Sequence, residues 1–317
     1  MTKHRRANLK KVRTVSIRKR QSKVTPADFA VPFDTADGTF DGFIRGLPRI
    51  LVAEDLRRVA ADIIAAHRAK KPVIAMMGAH VIKVGLSPVV TDLMRRGIIT
   101  AVAMNSAAAI HDVESAMWGH TSEDVAAHMM DGTFGMAKET GDFINGTLKR
   151  AARWTDDGYG EALGKQLLKR KAPGRTVSVL AAGVDLKIPV TVHAAIGTDI
   201  VHQQPGMDGA ATGETSFRDF RSLCATCAGL VGGGVVLNIG SAVIMPEVFL
   251  KALTVARNLG ADARGFTTVV LDMNNHYRPT MNVRVRPTQD GGRGYQITGH
   301  HEIMVPLLAA MVLSGMK

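Results

Sequence analysis

Short apolar runs alternate with amphipathic stretches of helical period along residues 47–317, and that alternation leaves few folds open. Val73-Ile74-Ala75-Met76-Met77 is apolar throughout and bounded by Pro72 and Gly78. Such a run is too short for a helix and reads as a strand buried on both faces. Before it, residues 54–70 place Leu56, Val59, Ala60, Ile63 and Ile64 on one helical face. Ser87-Pro88 opens the next helix, with serine as N-cap and proline at the first helical position, and Gly97 closes it. Residues 98–104 form a second strand running into Asn105-Ser106. Further on, helices predicted over 175–186, 216–230 and 246–259 precede strands at 188–192, 235–236 and 266–271, the last clear strand, and a helix over 302–313 closes the chain. Strand, loop, helix, strand is the grammar of right-handed parallel crossovers. We therefore expect an α/β protein with a doubly wound, Rossmann-like, mostly parallel sheet. No repeat or boundary interrupts residues 47–317, which read as one domain. Residues 25–46 are a turn-rich lead-in containing Asp34, Asp37, Gly38, Asp41 and Gly42.

The net charge of +12 is concentrated at one end. Ten of the 40 Lys and Arg fall within residues 1–24, which hold no acid, leaving 30 basic residues against 28 acidic ones for the rest. A block of like charge can contact RNA, DNA or anionic lipid. It can equally be a solvated tail that aids solubility or touches a neighbouring subunit; a mitochondrial targeting peptide fits less well, because the stretch has few apolar residues. Two cysteines and no signal-peptide pattern point to a reducing, cytoplasmic setting. Residues 222–246 carry no charge, but Gly232-Gly233-Gly234 and Pro246 argue against a membrane helix and for a buried strand.

In an open parallel sheet, ligands bind outside the carboxyl ends of the strands. Four predicted strand ends carry chemistry: Gly78-Ala79-His80, Asn105-Ser106 with His111-Asp112 beyond, Gly197-Thr198-Asp199, and residues 272–278. The glycine triplet at 232–234 suits either a phosphate turn or a close helix–strand approach. There is no G-x-G-x-x-G, Walker A or G-x-S-x-G pattern. Cys224 and Cys227 lack a second pair and fall mid-helix, so they read as core thiols, and no histidine spacing supports a metal site. Arg284 and Arg286 alternate on an expected strand with Arg278 upstream; two arginines on one face suit a carboxylate or phosphate, or a solubilising edge.

These stretches, in this order, resemble the deoxyhypusine synthase family. The resemblance covers roughly residues 50–130 and 175–317. It rests on Gly78-Ala79-His80-Val81-Ile82-Lys83-Val84-Gly85, the strand and turn over 102–112, Ile188-Pro189-Val190 with Gly197-Thr198-Asp199, Leu230-Val231-Gly232-Gly233-Gly234-Val235-Val236, and Val305-Pro306-Leu307-Leu308. It implies an NAD-binding Rossmann-like sheet in a tetramer, with active sites at dimer interfaces. It also implies oxidation of spermidine by NAD and passage of the aminobutyl group through an imine on a lysine. By position, NAD would lie against Ala79, His80, Asn105 and Ser106 and near Gly232, Gly233 and Gly234, and the polyamine-binding acids would fall at His111-Asp112 and Asp199.

Departures from the family shape the functional expectation. Its acidic pair is His111-Asp112 here, a histidine is replaced by Asn238, the Gly-Ser-Asp and Trp-Gly-Lys motifs are missing, and Arg284 stands at the imine-forming lysine. Imine formation needs a neutral amine, with a pKa near 7–8. Arginine lies above about 12, and a gap of about five units is about 7 kcal/mol. We therefore expect NAD-dependent chemistry on a small anionic or neutral molecule. Arg278, Arg284 and Arg286 would hold it beside Asn238, His111 or His276 would act as acid or base, and Asp112 or Asp199 would orient that base. One alternative keeps polyamine chemistry, with a free amine attacking directly and Asp112 and Asp199 binding the cation. Another is a non-catalytic assembly or nucleic-acid-binding protein using the basic tail.

Overall fold

The computed structural model describes residues 4–316; Lys3 of the basic tail and the terminal Lys317 lie outside them. Two compact units are present, one ending at Glu54 and the other beginning at Asp55. In the first, residues 4–24 are exposed throughout, and α1 (Phe40–Gly46) follows the turn-rich lead-in.

The second unit is a six-stranded, all-parallel sheet flanked by helices: β1 (Val73–Met77), β2 (Ala101–Asn105), β3 (Val190–His193), β4 (Val235–Ile239), β5 (Thr267–Asp272) and β6 (Arg293–Thr298). Strand order is β3-β2-β1-β4-β5-β6, with Ile74 opposite both Ala101 and Val236 and with Val235 opposite Thr267. This is a doubly wound, Rossmann-like fold, and the order reverses between β1 and β4, the topological switch point. The helices are α2 (Leu51–Arg68), α3 (Ala79–Lys83), α4 (Ser87–Arg95), α5 (Ser106–Trp118), α6 (Val125–Asp131), α7 (Lys138–Trp154), α8 (Tyr159–Lys169), α9 (Val179–Leu186), α10 (Gly209–Ala228) and α11 (Ile244–Asn258). A single turn, α12 (Tyr277–Pro279), continues into a π-helical turn over Thr280–Val285 and a 3-10 turn over Arg286–Thr288, and α13 (His301–Ser314) follows β6.

Burial explains the central strands. Ile74, Met76, Val236 and Val270 share one cluster with Leu223, Cys224, Cys227, Phe249 and Phe266. Both cysteines are free and buried near the end of α10, and burial pushes the Cys227 thiol up to about 12. Among the described residues no helix is long and apolar enough to cross a membrane.

Three local expectations are corrected. The strand expected across Arg284 and Arg286 is helical: Pro279 and Pro287 suit helical φ values, and the Thr288 hydroxyl donates to the Arg284 carbonyl at 2.6 Å, one helical turn back. The last strand is β6, not β5. Its sequence is polar because it lies at the sheet's edge, where Arg293 reaches Asp62 of α2 at 2.8 Å. Ser87 is the first residue of α4, and Leu86 is its N-cap.

Two close approaches shape the sheet, one at its centre and one at its β3 margin. A Cβ on Gly78 would sit 2.2 Å from the Gly240 carbonyl oxygen, so β1 and β4 meet at the switch point only because residue 78 has no side chain. Gly78→Ala is expected to cost about 1–3 kcal/mol through forced backbone displacement, readable as a lower urea midpoint at unchanged slope. At the β3 margin, the Asp219 carboxylate of α10 accepts from the Val192 N–H of β3 at 2.7 Å and from the Gly160 N–H at 2.9 Å. Gly160 lies against the Val190 carbonyl, where a Cβ would come within 1.9 Å.

Candidate active site

β2 and β3 deliver their carboxyl ends to one side of the switch point. Asn105 ends β2 and caps α5, its side chain accepting from the Ala108 N–H at 3.0 Å. β3 ends at His193 and leads into a 3-10 turn, Ile200–Gln203, that begins at Asp199. Between α3, α5, α6, α7 and that turn lies a cavity of about 600 Å³. Its wall carries four carboxylates, Glu114, Glu123, Glu139 and Asp199, against one lysine, Lys83. Ile110, Trp118 and Phe134 supply apolar surface.

Within the wall, His111 Nδ1 lies 2.6 Å from the Thr121 hydroxyl, which donates to Glu114 at 2.5 Å. Glu114 accepts a second bond from the Thr140 hydroxyl at 2.9 Å. A threonine has one proton to give, and it goes to Glu114, so His111 must donate Nδ1–H to Thr121. The relay leaves His111 Nε2 as a free base. Burial holds His111 below the ordinary histidine range, opposed by the nearby Glu114 charge. Asp199 accepts from the Ser106 hydroxyl, and burial raises it above the usual carboxylate range.

The structure therefore brings His111, Asp199 and Ser106 together and separates them from Asp112, the glycine triplet, Asn238, His276 and the three arginines. Asp112 turns away from the cavity: its carboxylate accepts from the Val179 and Leu180 N–H groups at 2.9 and 3.2 Å and from the Ser178 hydroxyl at 2.5 Å, tying α5 to the start of α9. Gly232, Gly233 and Gly234 precede β4, at the amino end of the strand and across the sheet from the carboxyl-end crevice. There Gly232 donates to the Arg264 carbonyl, and a Cβ on Gly234 would strike Leu230. Asn238 is buried inside β4, its amide donating to the Ser241 carbonyl at 3.0 Å. His276 is the N-cap of α12. The three arginines do not converge on one ligand site: Arg278 pairs with Glu247 at 3.3 Å, Arg286 donates to Asn282 at 2.6 Å, and Arg284 packs its methylenes beside Gly294. The sequence reading missed Glu114, Thr121, Glu123 and Glu139. Glu114 had a readable signal, since it lies three residues after His111 on one helical face.

The switch point is built from Gly78, His80, Gly240 and His301. The His80 and His301 rings meet edge to face with centroids 5.6 Å apart, and buried His301 leaves its Nδ1 without a partner among the described residues. Ala79, His80, Asn105 and Ala107 are half-buried beside it. Folds of this class place a dinucleotide across such a crevice. The small, partly exposed residues and the orphaned imidazole nitrogen fit that group, although the usual glycine-rich loop is replaced by Gly78-Ala79-His80.

The fold and crevice define a Rossmann-like α/β protein. No protein-family model matches the chain, and no curated protein matches it by sequence. Among solved structures it is similar to AgrE in ternary complex with ornithine and NAD+, with 15% identity and a TM-score of 0.52 over 82% of this chain and 32% of that one. It is likewise similar to a protein from Entamoeba histolytica assigned as a deoxyhypusine synthase, with 10% identity and a TM-score of 0.54 over 90% of this chain and 97% of that one. A conserved LOR/SDH protein from Methanococcus maripaludis S2 gives 16% identity and a TM-score of 0.50 over 84% and 70%. The chain spans about a third of AgrE, and at these identities the likeness is one of fold.

Proposed function

We propose that this protein is a divergent deoxyhypusine-synthase-like enzyme that oxidises a small cationic amine with NAD. The observation that carries this reading is the excess of carboxylates in the cavity beside the switch point. A buried ammonium loses its hydration, and Asp199, itself raised by burial, regains charge stabilisation when that cation arrives. An anionic ligand would meet the same four carboxylates, and the arginines expected to hold it do not line the cavity. AgrE, a structural neighbour, was solved with a cationic amino acid and NAD+.

NAD, held against Ala79, His80, Asn105 and Ser106, would supply the hydride acceptor. The chain's own task is to bind the ammonium at Asp199, orient it against Ile110 and Trp118, and remove its proton. Hydride leaves the carbon next to nitrogen only when the nitrogen lone pair is free, so His111 Nε2 takes the ammonium proton first. Thr121 and Glu114 fix the ring and stabilise the imidazolium that forms. Replacing Thr121 by valine should lower kcat about tenfold or more and leave KM nearly unchanged, measured by steady-state kinetics. Because burial lowers His111, kcat/KM should hold its plateau to below about pH 6.5 and fall only as the imidazole protonates at lower pH.

The test is calorimetric titration of nucleotide-stripped protein with NAD, followed by NADH absorbance with putrescine, spermidine, agmatine and ornithine. NADH formation with an amine and none with amine-free carboxylates or phosphates supports the reading; absence of NAD binding removes it. A second activity is favoured by the nine Lys and Arg between residues 4 and 24, all exposed and without an acid among them. A salt-sensitive association with nucleic acid that is lost on deleting residues 1–24 would establish it.

A further inference from the structure

Behind Asp199, three buried polar atoms have no hydrogen-bond partner among the described residues: Asn145 Oδ1 of α7, the Tyr159 hydroxyl of α8 and His202 Nε2 of the Ile200–Gln203 turn. Two of them belong to the turn at Asp199: Asn145 donates its amide to the Val201 carbonyl at 3.0 Å, and His202 Nε2 lies 3.9 Å from Asp199 Oδ2. The His202 side chain is only 4% exposed, and Tyr159 is fully buried.

The hydrogen bonds assign the protons. His202 Nδ1 accepts from the Gly197 and Asp199 N–H groups, at 3.1 and 3.3 Å, so its proton is on Nε2, the nitrogen nearest the carboxylate. At 3.9 Å, a shift of about 1 Å brings Nε2–H into hydrogen-bond range of Asp199.

We propose that His202 is a positioning residue that favours ionised Asp199 from behind, so that its cavity face is ready for a substrate ammonium. The proposal deepens the amine-oxidation reading and rests on it for the identity of the ligand. Without this donor, a buried carboxylate sharing a cavity with Glu114, Glu123 and Glu139 would hold its proton to higher pH and present a neutral face. The other groups facing Asp199 are Ser106 and His111 from α5 and Thr198 from its own turn, with Lys83 of α3 in the same cavity wall.

The experiment compares wild type with His202→Ala. Two readouts are taken on the full chain: the Asp199 carboxyl 13C shift against pH without ligand, assigned with Asp199→Asn, and calorimetric binding of putrescine across the same pH range. The expected result is an Asp199 titration displaced to higher pH in the variant and putrescine affinity weakened about tenfold or more near neutral pH, as for loss of a hydrogen bond to a charged group. His202→Gln, which restores a side-chain N–H, should recover part of both. Unchanged Asp199 titration in folded His202→Ala overturns the proposal. If the titration moves but wild type binds no putrescine, the positioning stands and the amine reading of the cavity falls.

Discussion

His111→Ala should lower kcat/KM for amine oxidation by about three orders of magnitude while leaving the protein folded, because a positioned general base contributes 10²–10⁴-fold. His111 is only half-buried, and its one side-chain hydrogen bond runs to Thr121, so little of the core depends on it. The loss should fall on kcat. Ammonium binding belongs to Asp199, and Asp199→Asn should instead raise KM. A His111→Ala variant that kept wild-type kcat would show that deprotonation happens elsewhere. Raising the pH should partly rescue the variant, since more substrate then arrives neutral.

Asp112 adjoins His111 in sequence but has the opposite kind of consequence. Asp112→Ala should destabilise the protein by about 3–5 kcal/mol, because it strands the Val179 and Leu180 N–H groups and the Ser178 hydroxyl in the interior. Urea unfolding followed by circular dichroism measures the loss, and an enzyme that unfolded like wild type while losing activity would return Asp112 to the active site. The same carboxyl gives stability a pH dependence of definite sign. Burial raises it from 3.8 to about 6. Between those values the folded state holds the proton that the unfolded state has released, so stability falls as pH rises through that window and is level above it. The full swing is at most about 3 kcal/mol. Asp112→Asn cannot titrate and should flatten the slope.

The parallel strands were legible because a strand covered on both faces must be apolar along its whole length, as Val73–Met77 is. β6 was not, because an edge strand needs less cover and its Arg293, Gly294 and Thr298 face outward. The Arg-Val-Arg alternation at 284–286 has the period of a strand, but two flanking prolines and a threonine back-bond favour helical turns. His111 and Asp199 were found because each follows a predicted strand end, the place the fold reserves for ligands. Glu123 and Glu139 lie in a stretch without clear periodicity, and only the packing of α7 against α5 and the Ile200–Gln203 turn, with the segment before α6 beside them, brings both to the same cavity. The expected anionic ligand and the cationic one proposed above differ for that reason: the exchange of acids for His, Asn and Arg is visible along the chain, whereas the acids gathered from elsewhere are not.

At the outer margin of β3, Asp219 takes the Val192 N–H and Gly160 presses on the Val190 carbonyl. A bare strand margin is a template on which a stray chain can zip. Here the template is sealed by a carboxylate and a glycine, so a misfolded or newly made copy finds no free rung there. Protection from runaway self-association is thus written into α8 and α10 together, and a variant that unseals the margin, such as Asp219→Ala, should betray itself first by turbidity on warming.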